Sequence, residues 1–273
     1  MHTDRRDAGP RARLMRSGDL TPVYVPTVED EAIRHRTRAR EETIGDLKAA
    51  KCRLNAFLLR HAIRDTGRAT WGPAHLRWLS AVVCATPAPP IVCQAYVRAV
   101  NEPPARLPRL AHELHEQGQT WRLQPVVEAL QALRGVPVTV AVTIVAELGD
   151  LTRFDNPRQL MRDLGLTPSA YSSGERRRQG SITKTGNTHA RRALVEGAWA
   201  SRDPTHVSRH RQRRLEKLPK AVQDISWKAH VRLCTRDRKL SARGKHAYQV
   251  VVAIARELIA LMWAMAKEVP VIP

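Results

Sequence analysis

Aromatic side chains are scarce in this chain: 273 residues include two phenylalanines, four tyrosines and six tryptophans. Stacking of bases on aromatic platforms is therefore not expected to dominate any contact with nucleic acid. Acids are also in short supply, with 26 Asp and Glu against 46 Lys and Arg, so the net charge is +20. That imbalance points to nucleic acid ahead of a membrane surface, with phosphate contacts supplying most of the affinity. The four cysteines, Cys52, Cys84, Cys93 and Cys234, form no C-x-x-C pair. This argues against zinc or a disulfide framework and for thiols in a reducing cytoplasm. The eleven histidines are scattered, and His112 and His115 share a helix face without a third ligand. The start, Met1-His2-Thr3-Asp4-Arg5-Arg6, has no apolar core of the kind a signal peptide needs. Long apolar runs are missing too. The most apolar stretch, Val250 to Ala266, is interrupted by Arg256 and Glu257. Its Val251, Ile254, Leu258, Leu261 and Met265 fall on one face, as in a core helix rather than a membrane span. No membrane partner and a cytoplasmic location are expected.

Against that background one stretch is unusual. Residues 165–192 carry Ser173 directly before Gly174, a triple-arginine run Arg176-Arg177-Arg178, and the polar turn Ser181-Ile182-Thr183-Lys184-Thr185-Gly186-Asn187, which leads into Arg191 and Arg192. Gly174, Gly180 and Gly186 recur every six residues, so the backbone can turn tightly and approach a ligand closely. Five arginines and Lys184 face a single acid, Glu175, so the expected ligand is a polyanion. A serine among phosphate-binding groups is a candidate phosphoryl-transfer nucleophile. The bland alternative is a basic surface loop with an incidental serine. Arg191 and Arg192 open a helix, where cations sit poorly unless an anion is nearby, and this too points to phosphate.

Gly165-Leu166-Thr167-Pro168, Ser173-Gly174, Gly180-Ser181-Ile182-Thr183-Lys184-Thr185-Gly186-Asn187 and Arg191-Arg192 occur in that order. The set resembles the carboxy-terminal domain of the insertion-sequence one-ten family of transposases, also called DEDD transposases. At the other end, Asp4-Arg5-Arg6-Asp7-Ala8 puts two acids one helical turn apart. It resembles the close of the carboxylate tetrad in that family's RNase-H-like domain, whose first two acids would precede Met1. The expectation is a truncated or split form, with Asp4 and Asp7 as an incomplete Mg²⁺ site.

The rest of the chain reads as mainly α: a long helical hairpin or coiled-coil arm, then a compact helical domain with a helix-hairpin-helix-like element. Residues 1–27 are expected to be the remnant of the RNase-H-like domain, 28–120 the arm, and 121–273 the carboxy-terminal domain. Ile33, Thr37, Arg40, Ile44, Leu47, Lys51, Leu54 and Leu58 follow four-three spacing along one helix from 28 to about 62. This seam predicts a homo-oligomer through the arm, as the resemblance does. Pro103, Pro104 and Pro108 are expected to weaken the second arm helix. Arg134-Gly135-Val136-Pro137 separates two helices, with Gly149 closing the second. Hairpin amides of that type can grip a phosphate, but Val138 and Val140 stand where the family has glycines, which favours packing. Asp155 or Asn156 caps the next helix, with Pro157 as its first residue. Between 202 and 245 fourteen lysines and arginines face four acids, with Arg209-His210-Arg211-Gln212-Arg213-Arg214 the densest cluster.

The resemblance implies recombination of DNA by attack of Ser173 on a phosphodiester, with Ser172 the alternative nucleophile. Arg176, Arg177, Arg178, Thr183, Lys184, Asn187, Arg191 and Arg192 are the expected nucleic-acid contacts. It also implies activation by Mg²⁺-bound carboxylates and a structured, element-encoded RNA that selects the DNA. The competing readings are a non-catalytic nucleic-acid-binding remnant and, more distantly, a helix-hairpin-helix repair enzyme. The latter needs a catalytic Lys or Asp after the hairpin, where only Glu147 and Asp150 are near.

Overall fold

A capping box opens the longest helix. Thr27 Oγ1 accepts from the amide of Asp30 (3.1 Å), and the Asp30 carboxylate accepts from the Thr27 amide (3.4 Å). The computed structural model describes residues 4–19, 24–65, 67, 71–81, 90–173, 176–203 and 209–270; for 4–7, 90, 172–173, 176–178 and 209–211 it describes backbone only. The fold is mainly α. The helices are α1 (Asp4–Ser17), α2 (Val28–Arg60), α3 (Pro73–Ala81), α4 (Pro90–Thr120), α5 (Gln124–Leu130), α6 (Val138–Leu148), α7 (Pro157–Asp163), α8 (Thr188–Ala198), α9 (Arg209–Leu215), α10 (Lys220–Ala242) and α11 (Ala247–Ala266). Short 3₁₀ turns follow α6 (Leu151–Arg153) and α8 (Trp199–Arg202).

The helix from Asp4 runs through Pro10, and its residues from Gly9 onward are exposed. The α4 helix likewise continues through Pro103, Pro104 and Pro108. Packing along α2 outweighs the three missing amide donors.

The seam expected to face a second chain is covered largely by the chain itself. Ile33 belongs to the main core with Leu114 and Trp121, while Leu54, Phe57 and Leu58 form a second cluster with Leu79, Cys93 and Val100. The main core is built around α11, whose Val250, Val251, Ile254, Leu258, Ile259, Met262 and Met265 are all buried. By length and composition alone that helix could cross a membrane. Its buried face instead packs on α5, α7, α8 and α10.

The helix-hairpin-helix-like turn is packed internally. A Cβ on Gly135 (φ +77°) would meet the Gly197 carbonyl at 2.0 Å. The Arg134 amide donates to His230 Nε2 (3.1 Å) and the Val136 amide to the Leu133 carbonyl (3.3 Å). These contacts tie α5 and α6 to α8 and α10.

Candidate functional site

Residues 165–192 were expected to hold a polar turn at 181–187 and no strand; they contain the one sheet among the described residues. Strands β1 (Pro168–Ser173) and β2 (Arg176–Ile182) pair antiparallel, with Ser173 opposite Arg176, Ser172 opposite Arg177 and Tyr171 opposite Arg178. The register brings both candidate serines and all three arginines to one end of a β-hairpin. Its tip, Gly174 and Glu175, lies outside the described residues, as do the side chains of Ser172, Ser173 and Arg176 to Arg178. Nearer the base, Gly180 and Ser181 together oppose Ser169, a bulge. Ser169 Oγ donates to the Ser181 carbonyl (3.0 Å), and a Cβ on Gly180 would lie 2.5 Å from that hydroxyl. Ala170, Tyr171, Gln179 and Ser181 are exposed, so the hairpin stands off the core.

Two glycines root it. Gly165 (φ +60°) and Gly186 (φ +72°) sit where a side chain would strike backbone, at 2.3 Å from the Thr185 carbonyl and 1.8 Å from the Asp163 carbonyl. The end of α7 and the segment 183–186 therefore touch backbone to backbone. The Thr183 amide donates to the Thr167 carbonyl (2.9 Å) and the Lys184 amide to the Gly165 carbonyl (3.0 Å). Lys184 itself has φ +57°, a costly conformation for a residue with a Cβ, and it is exposed.

Behind this seam the predicted polar residues are drawn into the fold. Arg191 donates to the Leu164 (3.0 Å) and Thr185 (2.8 Å) carbonyls, bracing the base of the hairpin. Asn187 caps α8, its side-chain oxygen accepting from the Ala190 amide (3.0 Å), while its NH₂ donates to Glu147 (2.7 Å). The Glu147 side chain is fully buried and receives two further bonds from Arg38, at 2.7 and 2.8 Å. Burial pushes this carboxyl up, but the Arg38 and Asn187 hydrogen bonds outweigh it and hold it below the usual range. The anion expected at the start of α8 is also present, and it belongs to the protein. Glu41 accepts from Arg192 (2.6 Å) and lies 2.9 Å from His189 Nδ1. The cations there need no bound phosphate, which corrects the inference from the helix N-terminus.

An open cleft of about 1020 Å³ adjoins the seam, with Thr185 and Gly186 on one side and Tyr24, Arg34, Arg153 and Arg162 among its other walls. Arg153 lies over the Phe154 ring (4.1 Å) and the Tyr24 ring (5.0 Å).

The model of the IS116/IS110/IS902 transposase family matches residues 127–213. Over 266 residues the chain is 42% identical to the putative transposase y4qE of Sinorhizobium fredii, covering 97% of this chain and 65% of that one. Residues 127–213 carry this family's transposase domain. The chain is also 28% identical over 247 residues to the transposase for insertion sequence element IS1533 of Leptospira borgpetersenii, covering 89% of this chain and 71% of that one. A third relative, the probable family 20 transposase of Pseudomonas aeruginosa, is 28% identical over 186 residues, 65% of this chain and 53% of its own length. The chain thus spans between about half and under three quarters of these transposases.

The family match runs from within α5, through the whole serine hairpin, to α9. The residues beside the site that sequence reading missed lie outside any contiguous motif: Arg38 and Glu41 of α2, and Arg34 and Arg153 at the cleft. Only folding brings them beside segment 183–192. Asp4 and Asp7, the expected Mg²⁺ ligands, have side chains outside those described. Among the described residues no three acid, histidine or cysteine side chains converge on a point where a metal could sit.

Proposed function

We propose that the chain is the DNA-joining part of an insertion-sequence transposase, with Ser173 as nucleophile. The hairpin register that sets Ser173 against Arg176 is the observation that carries this reading. In the step itself a bond forms between Ser173 Oγ and a DNA phosphorus. One P–O ester bond breaks, the DNA oxygen leaves and takes up a proton, and the serine proton passes to a base. The phosphodiester energy is kept in the phosphoserine, so a second DNA hydroxyl can reverse the attack and rejoin a strand. Arg176, Arg177 and Arg178 would hold the negative phosphoryl oxygens, and Lys184 and Thr183 the adjoining strand. The exposure of Lys184, in a backbone conformation that the Gly165–Gly186 seam maintains, supports its part in this.

Mg²⁺-held carboxylates of an RNase-H-like domain are proposed to activate the hydroxyl, with Asp4 and Asp7 as two of them. The described residues do not by themselves form such a site. A structured RNA as guide, and assembly of several copies, complete the reading.

A second reading, binding of nucleic acid without catalysis, needs only the basic character of the chain, whose net charge is +20. A DNA substrate with a trapped leaving group separates the two. A covalent protein–DNA adduct that disappears in Ser173→Ala, and persists in Ser172→Ala, supports the nucleophile. Binding without adduct in the unmodified chain supports the second reading.

A further inference from the structure

We propose that Tyr248, backed by Trp199 and His246 and bordered by Arg202, is a stacking site for one unpaired nucleobase. The proposal rests on the reading of the chain as a nucleic-acid-acting protein, and adds to it a site that reads strandedness. The scarcity of aromatic rings makes their placement informative. Trp199, in the 3₁₀ turn after α8, meets Tyr248, in the first turn of α11, edge to face at 5.6 Å and 88°. The His246 ring lies against Tyr248 at 5.5 Å and 24°. The Arg202 guanidinium covers Trp199 at 4.4 Å. Four planar groups are thereby gathered at one place on the surface. Packing of α8 on α11 holds the tryptophan and tyrosine together, and the Tyr248 amide donates to His246 Nδ1 (3.4 Å), fixing the imidazole as the cap of α11.

Tyr248 is nonetheless 65% exposed, and His246 is exposed with it. A tyrosine whose ring is oriented by two neighbours yet left open to solvent presents a flat apolar face that is already ordered. The surroundings select the ligand. Arg202, Arg243 and Lys245 are exposed around the ledge, with Gly244 (φ +69°) turning the chain between the last two. The acids nearest in sequence are engaged elsewhere: Asp203 with Arg134 (3.1 Å) and Glu196 with Arg192 (3.2 Å). An aromatic floor with a cationic border complements a base whose own phosphates lie to either side. Bases inside a duplex are stacked on each other and cannot use such a floor, so the site takes a base from a single strand, a loop or a bulge. Every base has a π-face, so no sequence preference is required of it.

The test is fluorescence anisotropy with the full chain, using one sequence as single-stranded DNA, as single-stranded RNA and as a DNA duplex. Tyr248→Ala is expected to weaken single-strand binding about five- to tenfold, within the range for loss of one base–aromatic stack, and to leave duplex binding nearly unchanged. Tyr248→Trp should restore the affinity. Loss on one polymer alone identifies that polymer as the source of the base; equal loss on both assigns the site to the base itself. If Tyr248→Ala binds every probe like the parent chain, the stacking site is wrong and the nucleic-acid reading stands. If the parent chain binds none of the three at low salt, both fall. Should Tyr248→Ala lower the melting temperature, the comparison moves to Tyr248→Leu, which keeps apolar area and loses the π-face; single-strand affinity equal to the parent's would again overturn the proposal.

Discussion

Glu147 shows how a residue of no sequence distinction becomes a junction. Its buried carboxylate receives Arg38 from the arm and Asn187 from the cap of α8, next to the serine hairpin. The two sides of the ion pair are not equivalent. Arg38 is 37% exposed and can turn to water, whereas the Glu147 side chain has no exposure. Arg38→Ala is therefore expected to cost about 2–3 kcal/mol, because it leaves the buried charge only Asn187 and, at 3.9 Å, Arg34, and Glu147→Gln about 1–2 kcal/mol. Urea unfolding of both variants measures the difference, and equal losses would refute the asymmetry. The same carboxyl sets a pH response. Its folded pKa is lowered, so its stabilisation is complete above the unfolded glutamate value of about 4.3 and is lost as pH falls through the lower folded value. Asp30 has the same sign: burial raises its carboxyl, and Arg122, Trp121 and Tyr24 bring it below the usual value. Urea midpoints should hold steady down to about pH 4.3 and then drop, less steeply in Glu147→Gln.

At the scale of elements, the hairpin depends on a backbone contact rather than on side chains. Gly165 and Gly186 combine positive φ with carbonyls inside the volume of a Cβ. Gly186→Ala should thus cost more than about 2 kcal/mol, and should open segment 168–187 to limited proteolysis before the helices are cut. Gly9→Ala, with nothing near its missing Cβ and inside α1, is the control and should stabilise slightly. The glycine spacing was visible in the sequence, and so was the need for tight turns. The strands were not. Strands of six and seven residues, rich in serine and arginine, lack the apolar alternation that marks a half-buried strand, because this hairpin stands in solvent. Helices α2, α7 and α11 were legible for the opposite reason: each has one face buried, and α2 and α7 also carry caps that their own sequence supplies.

For the whole molecule, the net charge of +20 predicts binding to nucleic acid that weakens steeply with salt. A plot of log affinity against log salt should be linear. Lys184→Ala should lower its slope by about one and weaken all sequences alike, as expected of a phosphate contact. An unchanged slope would remove Lys184 from the interface. Arg192→Ala offers the contrast. Its guanidinium already meets Glu41 and Glu196, so the slope should move less while stability falls.

The sequence by itself determined the helical class, the basic character, the family motif and the turns that only glycine can make, because charge, periodicity and backbone freedom are local properties. The tertiary structure decided which of the motif's polar groups face outward. Arg191, Arg192 and Asn187 lie within a few residues of Lys184, yet they are bonded to Leu164, Thr185, Glu41 and Glu147 while Lys184 is exposed. Partners between 6 and 151 residues away in the chain made that division, and the order of residues along a chain does not record which distant carboxylate will arrive beside an arginine.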